Sequence, residues 1–386
     1  MKKICIITGS RAEYGLMSRL MKLIQLEKEF QMQIIVTNMH LSPEFGLTYK
    51  EIENDGFIID KKIEMLLSSD TANATVKSVG LGIIGFADAY EDLKPDIILV
   101  LGDRYEILAA VSAALLYKIP VAHLYGGEIT EGAYDNSIRH AITKMAHLHF
   151  TSTEEYKNRV IQMGEQPSTV YNVGALGCDN ILKVLLLSKK EIEQSLNFKL
   201  DEKTLLVTFH PVTMENNSAE IQIQELLFAL DEVKKVRIIF TMPNSDTNGR
   251  IITKKIRDFV ERNSDRSILF SSLGMKRYLS TLKYIGGVVG NSSSGIIEVP
   301  SFHIPTINIG DRQKGRIAAK SVLNCPPEKR EIINKLHLIL EPKFKKQIKQ
   351  VDNPYDKPGT AEEIIRILKQ QKIQLIKEFY NIKDKT

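Results

Sequence analysis

Residues 97–124 read IILVLGDRYEILAAVSAALLYKIPVAHL, and this stretch decides the fold. An unbroken apolar run at 97–101 leads into the polar turn Gly102-Asp103-Arg104. A helical pattern at 105–117 follows, and then a second apolar run at 121–124. Runs that are apolar throughout, rather than alternating, belong to strands buried on both faces. Two such runs joined by a helix make a parallel pair with a crossover.

The same punctuation continues in both directions. Further runs lie at 4–7, 33–36, 148–151, 205–209, 236–240, 267–270, 287–289 and 306–309, with helical patterns at 16–29 and 218–233. The alternation restarts past residue 175, beyond the glycine-bearing stretch NVGALGCD at 172–179. The pattern predicts an α/β protein of two Rossmann-like domains facing across a cleft, residues 1–175 and 176–358. PYDKPG at 354–359 breaks the chain before a last segment, 359–386, in which Thr360 caps a helix at 361–371 and Glu362 and Glu363 favour its first turn.

Composition narrows the function. A net charge of +5, spread along 386 residues, lacks the basic face of a nucleic-acid binder and suits a polyanionic small substrate. Three scattered cysteines, Cys5, Cys178 and Cys325, point to reduced thiols and a cytoplasmic protein. The apolar run behind the N-terminus stops at Gly9, too short for a signal peptide, and no run is long enough to cross a membrane.

Polar residues gather where the apolar runs end. The first run ends in Thr8-Gly9-Ser10-Arg11, whose free N–H groups and guanidinium suit an anion. The 97–101 run ends in Asp103 and Arg104. The 121–124 run ends in Tyr125-Gly126-Gly127-Glu128, followed by Glu131, Asp135, Arg139 and His140. Several carboxylates at strand ends suit paired proton abstraction and donation. In the second half, His210 ends the 205–209 run, and Asn244, Ser245 and Asp246 end another as a turn.

The strongest local signal is GNSSSG at 290–295, between an apolar run and a helix. Hydroxyls, backbone N–H groups and the helix dipole make it a diphosphate cradle, with Ser292 and Ser293 in it. It is no Walker A loop, since no Gly-Lys-Ser/Thr ends it. Glu298 stands three residues on, placed to accept ribose hydroxyls, and GDRQKGR at 310–316 brings Arg312. Two patterns are set aside. GLGIIG at 80–85 matches GxGxxG but follows no strand, so its glycines ease helix packing. His140, His147 and His149 fit no zinc spacing, and no metal is expected.

Together ITGSRAEYG, LGDRYE, YGGE, YDNSIRHAITKMAHLHF, FHPVT, GNSSSGIIEVPS and INIGDRQKGR resemble the UDP-N-acetylglucosamine 2-epimerases, in their hydrolysing branch, over residues 1–320. The resemblance implies a glycosyltransferase-B-like fold, a C-terminal helix crossing back to the first domain, a homodimer, and no metal or redox cofactor. It implies loss of UDP from UDP-N-acetylglucosamine to give a 2-acetamidoglucal, then hydration to N-acetylmannosamine for sialic-acid-type synthesis. It makes Asp103 and Asp135 acid/base candidates. Arg11, Arg104, His210, Ser292, Ser293, Glu298 and Arg312 would hold UDP. Many members carry glutamate where this chain has Tyr125; Glu128, Glu131 or Tyr125 itself are the groups to take its place. The other substrate is UDP-N,N'-diacetylbacillosamine, on the legionaminic-acid route. The motifs HxxGGE, YDNSIRH and GDRQKGR argue against a non-hydrolysing epimerase; a glycosyltransferase and a non-catalytic nucleotide-sugar sensor are the remaining alternatives.

Overall fold

The computed structural model describes residues 1–215, 218–243, 246 and 248–382, so Asn244 and Ser245 lie outside the described residues. The chain forms two compact units. The first comprises Met1–Glu128, Asp135–Asn180 and Lys357–Thr386; the second comprises Ile129–Tyr134 and Ile181–Asp356.

The first unit holds β1 (Lys2–Thr8), β2 (Phe30–Thr37), β3 (Lys61–Ile63), β4 (Ile97–Leu101), β5 (Val121–Leu124), β6 (Leu148–Thr151) and β7 (Val170–Asn172). They form a sheet in the order β3-β2-β1-β4-β5-β6-β7. Every pairing is parallel, with Ile4 opposite Met32 on one side and Ile97 on the other. The second unit holds β8 (Thr204–Thr208), β9 (Arg237–Thr241), β10 (Ser267–Phe270), β11 (Gly287–Gly290), β12 (Thr306–Ile309) and β13 (Val322–Cys325), in the order β10-β9-β8-β11-β12-β13, again all parallel.

Both orders reverse direction beside their first strand, between β1 and β4 and between β8 and β11. Open parallel sheets bind ligands at the carboxyl ends of the strands flanking such a reversal. The central strands are buried on both faces, as their continuous apolar runs require: Ile4 to Ile7 and Ile97 to Val100 are fully buried. Helices cover both faces of each sheet. In the first unit, Cys5, Ile98 and Val100 pack with Phe86, Tyr90 and Val111. In the second, Val207, Phe240 and Val289 pack with Leu226, Ile256 and Leu336 on one face, and Leu206 and Val288 with Leu279 and Leu282 on the other.

GLGIIG lies inside the helix Ala72–Leu93. A Cβ on Gly82 would come within 2.8 Å of Met65 and 3.1 Å of Ala109, so the missing side chain lets this helix approach its neighbours. The last helix differs from the sequence expectation. It runs Thr360–Gln370, and the Thr360 hydroxyl is turned away, donating to the Val173 carbonyl at 2.7 Å. The cap is instead the buried carboxylate of Asp179, which accepts from Gly359 N (3.1 Å) and Ala361 N (3.3 Å). Arg19 balances that charge at 2.7 Å. Among the described residues, no helix is long and apolar enough to cross a membrane.

Candidate active site

In the first unit, the expected residues fall at the carboxyl ends of β1, β4 and β5. Arg11 opens the helix Arg11–Leu26, capped by the Ser10 side chain, and pairs with Glu51 at 2.9 Å. Arg104 precedes the helix Tyr105–Leu116 and is buried, its Nε donating to Glu106 at 2.9 Å. Glu13 lies in the same buried cluster and accepts from Gly9 N at 2.7 Å. Burial first, then the Glu106 charge, push the Glu13 carboxyl up to about 8; Gly9 N–H, Arg104 and Ser10 pull the other way.

The helix Asp135–Met145 organises the rest. Asp135 is its first residue, and its buried face carries Asp135, Arg139, Ile142 and Thr143. The spacing of four between Asp135 and Arg139 puts them on one side of the helix, a turn apart. Arg139 is fully buried. One terminal nitrogen donates to the Asp103 carboxylate and the other to the Glu128 carbonyl at 2.9 Å. The Glu128 side chain is itself buried and accepts from Ser152 Oγ at 2.7 Å.

A turn further along, Thr143 meets the ring of His123 at 3.2 Å, and His123 Nε2 lies 2.7 Å from the Gly102 carbonyl. Burial pushes His123 down to about 3, so the ring is neutral. The carbonyl contact then requires the tautomer with the proton on Nε2. His123 thus pins the residue before Asp103, whose φ of +82 marks a tight turn.

Tyr125 has a φ of +65, which is costly for a residue with a side chain, and its hydroxyl oxygen accepts from Gly177 N at 3.4 Å. Strain of this kind collects at functional sites. Asp103, Tyr125, Glu128 and Asp135 all belong to the first unit. Glu131 does not belong to that unit. It is exposed, sits in the second unit's segment Ile129–Tyr134, and donates from its backbone to Lys314 at 3.0 Å.

In the second unit, GNSSSG follows β11 at the sheet reversal. Gly290 has φ +134, and a Cβ there would overlap the Thr208 carbonyl, so only glycine fits. The helix that opens at Ser294 is four residues long, Ser294–Ile297, because Pro300 stops it. The expected helix dipole is therefore small, and Glu298 is the C-terminal flank of this helix rather than part of its first turn. Glu298 is buried, and with burial its charge helps raise the nearby Tyr278 phenol.

Asn291 binds the expected residues together. It is fully buried. Its side chain accepts from His210 N at 2.7 Å and donates to the His210 carbonyl at 2.8 Å. Its own N–H reaches Thr208 O at 3.1 Å. Its carbonyl accepts from Arg312 and from Gln313, each at 3.0 Å. His210, the serine loop and Arg312 therefore converge on one residue. Ser292 and Ser293 are partly exposed, and their hydroxyls have no partner among the described residues.

Asn291, Arg139 and Glu106 received no role from the sequence. Arg139 carried a readable signal, its place four residues after Asp135. Asn291 carried none, because its partners come from the ends of two other strands, β8 and β12.

The class of protein is defined first by fold. The two parallel-sheet units match UDP-N-acetylglucosamine 2-epimerase structures of glycosyltransferase-B-like type. The Neisseria meningitidis enzyme solved with UDP-GlcNAc aligns with a TM-score of 0.80 at 18% identity, covering 96% of this chain and 100% of that one. The Methanocaldococcus jannaschii enzyme with UDP-GlcNAc and UDP gives 0.79 at 20%, covering 96% and 100%.

The family model for UDP-N-acetylglucosamine 2-epimerase matches residues 22–369. The chain is 46% identical, over 90% of its length and 89% of the relative's, to the hydrolysing GDP/UDP-N,N'-diacetylbacillosamine 2-epimerase of Campylobacter jejuni. It is 40% identical to the polysialic acid biosynthesis protein P7 of Escherichia coli, over 100% and 99%. It is 36% identical to the hydrolysing UDP-N,N'-diacetylbacillosamine 2-epimerase of Legionella pneumophila, over 95% and 96%. This chain belongs to the UDP-N-acetylglucosamine 2-epimerase family.

Proposed function

We propose that this chain is a hydrolysing 2-epimerase that converts UDP-N,N'-diacetylbacillosamine and water into UDP and free 2,4-diacetamido-2,4,6-trideoxymannose. The observation that carries the substrate is the likeness, at 46% and 36% identity over nearly full length, to two hydrolysing enzymes named for that sugar. UDP-N-acetylglucosamine is the second reading, favoured by a 31% identical 2-epimerase of that name from Neisseria meningitidis serogroup B.

The chemistry asks for cations and hydrogen-bond donors on the diphosphate and a carboxylate at C2. A base takes the C2 proton, the C2–H pair becomes the C1=C2 bond, and the C1–O bond breaks to release UDP. Water then gives its hydroxide to C1, and a proton reaches C2 from the opposite face. In this reading the free Ser292 and Ser293 hydroxyls, His210 and Arg312 hold the leaving diphosphate, with Glu298 on the ribose and Arg11 and Arg104 as further cations. Asp103 and Asp135 are the acid/base pair. Asp103 is held in place by Arg139, and Asp135 starts the helix that carries Arg139. Glu128 fits the role of the missing glutamate better than Glu131, since it is buried among the same first-unit groups. Tyr125 is the other group in reach of that role. The reading also makes the chain a cytoplasmic homodimer.

Incubation with each sugar nucleotide, following UDP release and sugar product by NMR, tests the proposal. Free manno-configured sugar is expected, faster from the diacetamido substrate. A product still bearing UDP would instead mean a non-hydrolysing epimerase. Asp103→Asn and Asp135→Asn are each expected to lose about 100-fold or more in kcat; full activity in both removes the mechanism.

A further inference from the structure

Beyond the helix Thr360–Gln370, the chain returns over the first unit without regular structure as far as residue 382. Its path is fixed by specific contacts. Tyr380 N donates to Gly164 O at 2.9 Å, and Gln166 reaches the Glu378 carbonyl at 3.4 Å. The Phe379 ring occupies the space a side chain on Gly164 would need, with the Lys144 ammonium 5.2 Å from its centre.

Lys377 makes the telling contacts. Its ammonium donates to the carbonyls of Lys144 at 2.7 Å and Ala146 at 2.5 Å, and pairs with Glu165 at 2.8 Å. Glu165 is buried and also takes Lys144 at 2.6 Å and His149 at 3.0 Å. Burial alone would raise Glu165, but these three partners outweigh it and hold the carboxylate at about 2. Lys144 and Ala146 flank Met145, the last residue of the helix that begins at Asp135 and carries Arg139. The last carbonyls of a helix have no partner within it, and a cation there also faces the negative end of its dipole. No glycine closes this helix; a lysine more than 230 residues away in sequence does so instead.

We propose that residues 372–380 form a strap that fixes the catalytic helix from its far end, with Lys377 as a positioning residue that caps its carbonyls and so sets where Asp135 and Arg139 stand. This rests on the reading of Asp103 and Asp135 as the acid/base pair. Displacements of about 1 Å at reacting groups cost as much as ~100-fold in rate.

Lys377→Met, Lys377→Arg and Phe379→Ala in the full chain test it, by hydrogen exchange over residues 135–146, by kcat and KM for UDP release, and by UDP affinity. Lys377→Met is expected to speed amide exchange at the end of this helix and lower kcat about 10- to 100-fold. UDP affinity should stay unchanged, and Lys377→Arg should recover most of kcat. Unchanged kcat and exchange in Lys377→Met overturns the proposal, as does a loss that arginine does not rescue and that UDP affinity shares. If Lys377→Met does not fold, Phe379→Ala, which keeps the ammonium but unseats the strap, decides by the same measures. A wild-type chain that releases no UDP faults the epimerase reading; unchanged exchange over 135–146 faults the strap.

Discussion

Arg139 donates to the Asp103 carboxylate from a fully buried position, and the same guanidinium holds the carbonyl of Glu128 at 2.9 Å. One side chain therefore registers the end of β4 against the end of β5. The guanidinium fork is what makes this possible, since two terminal nitrogens reach two acceptors in fixed directions.

Arg139→Met leaves the Asp103 charge facing no cation from this position and the Glu128 carbonyl without its donor. Breaking a fully buried pair costs about 3–5 kcal/mol. The Asp103 side chain keeps 23% of its surface in solvent, so urea unfolding should show a smaller loss, about 1–3 kcal/mol, mostly from the Glu128 carbonyl left without this donor. Arg139→Lys keeps the charge but cannot span both acceptors, so it should lose less stability while kcat still falls. Equal stability in wild type and Arg139→Met would mean that the pair is not formed.

Asn291→Ala removes both side-chain bonds to His210 while leaving the serine hydroxyls in place. The His210 N–H and carbonyl, now buried without these partners, should shift. UDP affinity is expected to fall about 10- to 100-fold, equivalent to ~1.4–2.8 kcal/mol. Isothermal titration with UDP reads this directly. Unchanged affinity would show that His210 and the loop hold their places without Asn291.

Ser292→Ala and Ser293→Ala make the contrasting case. Neither hydroxyl has a partner among the described residues, so folding should not register their loss, with stability within about 0.5 kcal/mol of wild type. UDP binding should weaken in both. If stability falls and UDP affinity does not, the hydroxyls serve the fold and the diphosphate is held elsewhere.

Much of this was legible in the sequence, and the gaps have physical causes. Among the described residues, ten of the thirteen strands follow apolar runs, most of them because strands buried on both faces must be apolar throughout. The three without such a run, β3, β7 and β13, are short edge strands at the ends of their sheets. With a neighbour on one side only, they carry residues such as Lys61, Lys62, Asn172 and Asn324. The strand-end residues were legible for the same reason that the strands were. What holds them was not: Asn291 and Lys377 act through contacts distant in sequence, and Glu106 holds Arg104 only two residues away but matters because the fold buries it beside Glu13. The cap by Asp179 was hidden in the same way, with Thr360 offering the more obvious local solution.

The Glu13–Glu106 pair gives a pH signature whose sign can be worked out. Two carboxyls are buried around Gly9 and Arg104, and Glu13 is raised from an ordinary 4.5 to about 8. Between those values the folded chain keeps a proton that the unfolded chain has lost. Stability therefore falls as pH rises through that window, at up to about 1.4 kcal/mol per pH unit, and the loss ends once both states are ionised. Glu13→Gln stays neutral at every pH and keeps an oxygen for the Gly9 N–H. It should match wild type near pH 5 and exceed it at pH 8.5 by ~1–3 kcal/mol, discounted because Glu106 shares the charge. Glu106→Gln removes the neighbouring charge that raises Glu13 and should flatten the same slope in part, while also loosening Arg104, whose Nε it holds at 2.9 Å. Urea unfolding at pH 5, 6.5 and 8.5 separates these outcomes. Parallel wild-type and Glu13→Gln profiles would show that Glu13 is already ionised at neutral pH, with Arg104 carrying the balance of charge for both carboxylates.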